Sequence, residues 1–249
     1  YRYELPMPAG EQKGALKLDW RRHFGWGAGI DHQIKTPEFG KALLRLYYNP
    51  EKNRVRPTED LPKGALEDRY RVLWRHQWEP RGDTSIVTNI QKYSDVDFRR
   101  ELLFREEFRE DNEPESFISV VKSTPVAFFT GLVKKRLNRF QTVTEAFPQV
   151  KAQMREQPIG NTMLYTDTTL DVANFQTKNA HSELDTDVVQ VDWFQRLRYA
   201  LRWFRPIEMT PNVGIRQTYY TKDKQGGIER PHGKRDVLSG QVSMGTDAS

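Results

Sequence analysis

Long runs in which apolar and polar residues alternate leave this 249-residue chain few choices of fold. Over 15–21, Leu16, Leu18 and Trp20 share one parity, and Lys17, Asp19 and Arg21 the other. Over 24–34, Phe24, Trp26, Ala28, Ile30 and Ile34 oppose Gly25, Gly27, Gly29, Asp31 and Gln33. Over 41–48, Ala42, Leu44, Leu46 and Tyr48 oppose Lys41, Arg45 and Tyr47. Over 70–79, Tyr70, Val72, Trp74, His76 and Trp78 oppose Arg71, Arg75, Gln77 and Glu79. A period of two residues is the signature of strands with one apolar and one polar face. Weaker runs of the same kind lie near 84–92, 116–123, 126–137, 148–156, 161–176 and 214–222. Pro, Gly, Asn and Asp recur between the runs, as turns between strands require.

Two segments depart from this pattern. Residues 188–204 alternate as a strand, with Val189, Val191, Trp193, Leu197, Tyr199, Leu201 and Trp203 on one side, yet they also form a helical stripe. The β-branched start Val188-Val189-Gln190-Val191 selects strand. Residues 97–110 carry dense mixed charge after Ser94 and Asp95, either of which can cap a helix, and read as a short helix or a charged loop.

Run length bears on the class. Spans of about 9–11 residues match tilted strands crossing a bilayer, whereas strands of ordinary domains run to about 5–6 residues. The mean hydropathy of −0.79 and the 29% charged residues do not oppose a membrane barrel, where only every second residue meets lipid. No run approaches the roughly 20 apolar residues of a membrane helix. Trp and Tyr near strand ends, such as Trp20, Trp26, Tyr48 and Trp78, suit interfacial aromatic girdles. The fold expected is therefore all-β: an antiparallel transmembrane β-barrel, present as roughly ten strands of a larger one. On that barrel Lys17, Arg21, Arg45, Arg71, Arg75, Arg196, Arg198 and Arg202 face the lumen. Leu18, Trp20, Trp26, Ile30, Leu44, Leu46, Val72, Trp74, Trp193, Leu197, Leu201 and Trp203 face lipid.

Little in the sequence points to catalysis. Gly25-Trp26-Gly27-Ala28-Gly29 lacks the following helix that a dinucleotide loop needs, and reads as one face of a strand. His23, His32, His76, His181 and His232 make no HxH, HxxxH or HExxH spacing. No GxSxG occurs, and cysteine is absent, so no thiolate site exists. Arg81-Gly82-Asp83 follows Pro80 and reads as a hairpin turn. No catalytic residue, metal or cofactor is expected. The formal charge of +5 favours an anionic partner, but the basic residues are spread along the chain, so nucleic acid is not expected.

Several segments, in order, resemble the barrel of the lipopolysaccharide-assembly outer-membrane family (LptD/OstA). Gly25–Gln33 resembles a "G-x-G-x-G-hydrophobic-D" strand, and Gly40–Tyr48 one that ends in paired Tyr. Arg71–Trp78 resembles an "R-x-x-x-x-x-H" strand, and Ser94-Asp95-Val96-Asp97-Phe98 an "S-D-x-x-F" element. Thr144–Val150 is similar to an "LPE" element with Phe147 and Gln149 in place of Leu and Glu. Arg205-Pro206 and Pro211–Tyr220 resemble a late "P-x-x-G-x-R" strand. The family's jellyroll domain and cysteine pairs have no counterpart here. The resemblance implies a non-enzymatic barrel of the Gram-negative outer membrane. It would insert lipopolysaccharide through a hydrated lumen and lateral gate, with an outer-membrane lipoprotein plug (LptE-like) and a periplasmic bridge protein (LptA-like) as partners. Residues 1–249 are expected to be the N-terminal part of that barrel, truncated at both ends, with 94–114 a charged loop or short helix and 223–249 a loop or disordered end. The competing readings are a passive outer-membrane porin and a soluble β-rich binding domain.

Overall fold

The computed structural model describes residues 1–7, 10–22, 25–51, 67–103, 114–180, 186–199, 201–204, 207–225, 228–231, 241–243 and 246–248. The strands are β1 (Arg2–Met7), β2 (Gly10–Arg21), β3 (Gly25–Thr36), β4 (Gly40–Glu51), β5 (Glu67–Arg81) and β6 (Thr84–Tyr93), followed by the helical turn α1 (Phe98–Leu102). Next come β7 (Phe117–Ser123), β8 (Ala127–Lys134), β9 (Val143–Pro158), β10 (Leu164–Lys178), β11 (Thr186–Tyr199), β12 (Leu201–Phe204) and β13 (Ile207–Met209). The last are β14 (Asn212–Tyr220), β15 (Lys222–Gln225), β16 (Ile228–Pro231), β17 (Gln241–Ser243) and β18 (Thr246–Ala248).

Hydrogen bonding follows chain order from β1 through β11, then β14 and β17, in one antiparallel sheet of 13 strands. β12, β13 and β18 make a second sheet, and β15 with β16 a third. The alternation sets the register. In the row Leu16↔Ile30↔Leu46↔Val72 every residue is apolar, and one step along, Ala15↔Asp31↔Arg45↔Leu73 lies on the opposite face. A slip of one residue would exchange the two faces, which is why the pattern holds the pairing in place.

The sheet is open, and this corrects the expected transmembrane barrel. Among the described residues β1 pairs with β2 alone and β17 with β14 alone. The physical reason lies in the end strands. β1 has six residues and includes Pro6, which has no N–H to give, and β17 has three. An open edge leaves N–H and C=O groups that hydrocarbon cannot satisfy, so a sheet crosses a membrane only when closed. The expected outer-membrane location, which the resemblance and the barrel reading implied, is withdrawn with the closed barrel. No helix among the described residues is long and apolar enough to cross a membrane.

The chain divides into two compact units: Tyr1–Val120 with Lys134–Glu145 and Thr177–Asp185, and Val121–Val133 with Ala146–Gln176 and Thr186–Ser249. In the first, the buried core lies on the polar face of the sheet. Tyr47 and Tyr93 meet Phe98, Leu102 and Leu103 there, with Phe140 packed against them. Glycines make this possible. The Tyr47 ring lies across β3, where a Cβ on Gly27 would collide with its hydroxyl and one on Gly29 would sit 2.9 Å from Cδ2. The ring thus fills the space that two missing side chains leave.

In the second unit β11 and β14 pair from Gln190↔Tyr220 to Arg198↔Asn212. This confirms 188–199 as strand rather than helix. The polar face here carries ion pairs between strands: Arg196–Asp167 at 2.8 Å and Arg216–Asp192 at 2.9 Å join neighbours, and Arg198–Glu156 at 2.8 Å reaches from β11 past β10 to β9.

Candidate ligand groove on the polar face

The polar face of β2–β6 is built around buried charge. Asp31 on β3 collects three cations: Lys17 Nζ at 3.0 Å, Arg71 Nη2 at 3.5 Å and Arg45 Nε at 3.9 Å. Arg71 is 1% exposed, as is Arg69 two residues before it on the same face. Arg69 donates through Nε and Nη2 to the two oxygens of Asp95, both at 2.9 Å, and through Nη1 to Glu101 at 2.8 Å. The planar guanidinium fork suits this bidentate geometry.

These contacts hold residues 94–103 across the sheet as a strap. Asp95 also accepts from the Asp97 N–H at 3.1 Å and from Ser94 Oγ at 2.7 Å, which fixes the turn into α1. At the other end Arg21 donates to the carbonyls of Leu102 at 2.8 Å and Glu101 at 3.3 Å, groups that the short helix leaves without internal partners. Asp19 accepts from the Tyr47 hydroxyl, and burial together with that carboxylate raises the Tyr47 pKa above the ordinary phenol value. A second loop is pinned by Asn138, which accepts from the Tyr93 N–H at 2.9 Å and donates to the Gln91 carbonyl at 3.0 Å.

Beside this strapped region the same face opens into a groove of about 530 Å³. Gln33, Leu43, Arg75 and Asn89 come from one cross-strand row of β3–β6. Glu115 and Phe117 form the far wall. Leu43 gives an apolar floor; carboxamides and Arg75 give the sides. Arg75 Nε donates to Asn89 Oδ1 at 3.3 Å, and Asn89 Nδ2 donates to the Glu115 carbonyl at 2.8 Å. Lys134 pairs with Glu115 at 2.6 Å, which offsets the one acidic group in the wall. Lys41 and Gln77 line this groove and also a second hollow of about 570 Å³ next to it.

The residues singled out by sequence fall on two faces as their parity requires. Lys17, Arg45 and Arg71 meet at Asp31, Arg21 reaches the helix end, and Arg75 enters the groove. Arg196 and Arg198 belong to the second unit and its ion pairs between strands. On the other face Leu18, Trp20 and Trp26 are 73%, 62% and 60% exposed. Ile30, Leu44, Leu46, Val72, Trp74 and Trp193 are partly buried, and Leu197 is exposed. The side chains of Leu201, Arg202 and Trp203 lie outside the described residues, as do His23, Phe24, His181 and His232. Arg69, Asp95, Glu101 and Asn138 escaped the sequence reading. Arg69 precedes the alternating run that drew attention to Arg71, and Asp95 stood out as a helix cap and a motif residue, not as the partner of a buried Arg.

No protein-family model matches the sequence, and no curated protein matches it. The resemblance to the lipopolysaccharide-assembly family is therefore withdrawn. The residues that suggested it have local physical roles instead. Gly27 and Gly29 seat Tyr47, Asp31 gathers cations, and Asp95 and Phe98 hold the strap. Among the described residues the sheet does not close around a lumen, and no lateral gate forms between its first and last strands. Lipopolysaccharide, the LptE-like plug and the LptA-like bridge lose their basis as partners, and a porin loses its pore.

Proposed function

We propose that the chain is a non-catalytic β-rich binding domain whose polar-face groove takes a small hydroxylated acid. The groove around Arg75 is the observation that carries this reading. A guanidinium recognises a carboxylate through paired N–H donors. Asn89 restrains Arg75, so less freedom is lost when a ligand arrives. Gln33 and Gln77 present carboxamides around the same space, and each such group both donates and accepts, which matches the dual character of hydroxyls; Asn89 and Gln91 are engaged within the wall. Phe117 and Leu43 offer apolar contact to a carbon skeleton. Nothing in this arrangement asks for bond making.

Glucuronate is the probe, with glucose and inorganic phosphate as comparisons. One solvent-screened ion pair and a few hydrogen bonds give an expected Kd of about 1 mM, roughly −4 kcal/mol. Calorimetric titration should give saturable glucuronate binding, glucose at least about fivefold weaker, and a comparable loss for Arg75→Ala, the loss corresponding to about 1 kcal/mol. Phosphate binding equal to glucuronate would show that the groove reads charge alone. Indifference of glucuronate binding to Arg75→Ala, or glucose binding as tightly as glucuronate, would refute the proposal.

A further inference from the structure

The face of β2–β5 opposite the groove carries a surface that the ligand reading leaves unused. Leu16, Leu18, Trp20, Trp26, Tyr48 and Tyr70 lie on it as exposed side chains. Register makes them neighbours. Leu18 lies opposite Ala28, which lies opposite Tyr48 and then Tyr70; Trp20 lies opposite Trp26; and Leu16 begins the row through Ile30, Leu46 and Val72. The rows through Leu16 and Leu18 carry no charge from β2 to β5, and at their edge Asp68, on the same face of β5, bonds the Tyr48 hydroxyl. Their fractional exposures, taken with side-chain surfaces of about 150–250 Å² each, give about 650 Å² of exposed surface. That exceeds the largest apolar patch of an ordinary monomer, about 300–600 Å². It approaches the roughly 800 Å² that each partner contributes to a stable interface.

We propose that two copies of this chain pack face to face through this surface of β2–β5, as a twofold dimer. Three features select a second copy. The area from two such faces, about 1,300 Å², reaches the range of specific dimers. The two central rows are uncharged, which suits an apolar partner surface, and a second copy of this face supplies one of matching size. Flat apolar sheet faces have an established way to meet, stacked about 10 Å apart, with large residues of one entering gaps of the other. Ala28 supplies such a gap between Leu18 and Tyr48. A twofold contact of this kind closes on itself and stops at two copies.

Sedimentation velocity on the whole chain tests this, in dilute buffer from about 1 to 100 µM, concentrations that bracket dissociation constants of stable dimers. The wild type should sediment as a dimer across the upper part of that range. Leu18→Glu and, separately, Trp20→Glu should shift it to monomer, with unchanged far-UV circular dichroism. Arg81→Glu, in the exposed β5–β6 turn, should leave the dimer intact. If one glutamate variant fails to fold, the other and the wild-type profile still decide. A wild type that is monomeric at the highest concentration overturns the proposal. A chain that stays dispersed only with detergent or phospholipid vesicles, or a dimer that survives both glutamate substitutions, does so equally.

Discussion

Replacing Arg69 with Met tests how the polar face is held together. Arg69 is 1% exposed and Asp95 5%, and three hydrogen bonds join Arg69 to Asp95 and Glu101. Met keeps most of the buried stem and removes the charge. Breaking a buried pair on one side costs about 3–5 kcal/mol, because the remaining charge is left without compensation. The lower end applies here, since Asp95 keeps bonds from Ser94 and the Asp97 N–H, and Glu101 is 24% exposed. The loss expected is thus about 3 kcal/mol, or a melting temperature lower by about 6–12 °C for a chain of this size. Hydrogen exchange should show the loss first at residues 94–103, as the strap detaches before the sheet opens. Arg69→Met/Asp95→Leu should recover more than half of it, since removing both partners removes the uncompensated charge. A change below about 1 kcal/mol in the single variant, or no change of exchange in the strap, would refute the claim that this ion pair holds the strap.

Further outcomes follow from single contacts. Gly27→Ala drives a methyl into the Tyr47 hydroxyl and should destabilise by about 1–3 kcal/mol, while Gly82→Ala, which meets nothing within 4 Å, should stay within about 0.5 kcal/mol in denaturant titrations. The Arg216 guanidinium bonded to Asp192 holds that carboxyl below the ordinary Asp value, with Thr218 adding to the effect and burial opposing it. A lowered folded pKa means stability that is present above the unfolded value of about 3.9 and is lost as pH falls through the folded one. Arg216 is 54% exposed, so the increment is discounted to about 1 kcal/mol. Asp192→Asn should remove it at neutral pH and flatten the acid limb of a stability–pH curve below about pH 4. An unaltered acid limb would exclude the pair as its source.

Alternation made the strands legible because it is local. The runs at 41–48, 70–79 and 84–92 lie inside β4, β5 and β6. The strand reading of 188–204 holds for β11 because cross-strand pairing to β14 outweighs the helical stripe. Closure was not legible, because it depends on whether the first and last strands can pair, and no local period reports that. β1 itself was missed: Arg2–Met7 contains Pro6 and has weak alternation. The polar face could be read as cationic, yet its organisation could not. Asp31 gathers Lys17, Arg45 and Arg71 only once register brings β2–β5 side by side. Arg69 and Asp95 are 26 residues apart and meet only because the chain turns back over the sheet after β6.

Cysteine labelling at two leucines tests whether the two faces of the first unit are covered by different means. The chain has no native cysteine, so Leu73→Cys and Leu18→Cys each introduce a single thiol. Leu73 is 2% exposed on the charged side and Leu18 73% exposed on the apolar side. The thiol at 73 should stay protected from maleimide at every protein concentration, and the thiol at 18 should react fast when dilute and slowly when concentrated. A thiol at 73 that labels as fast as one at 18 in dilute, folded protein would show that nothing covers the charged face.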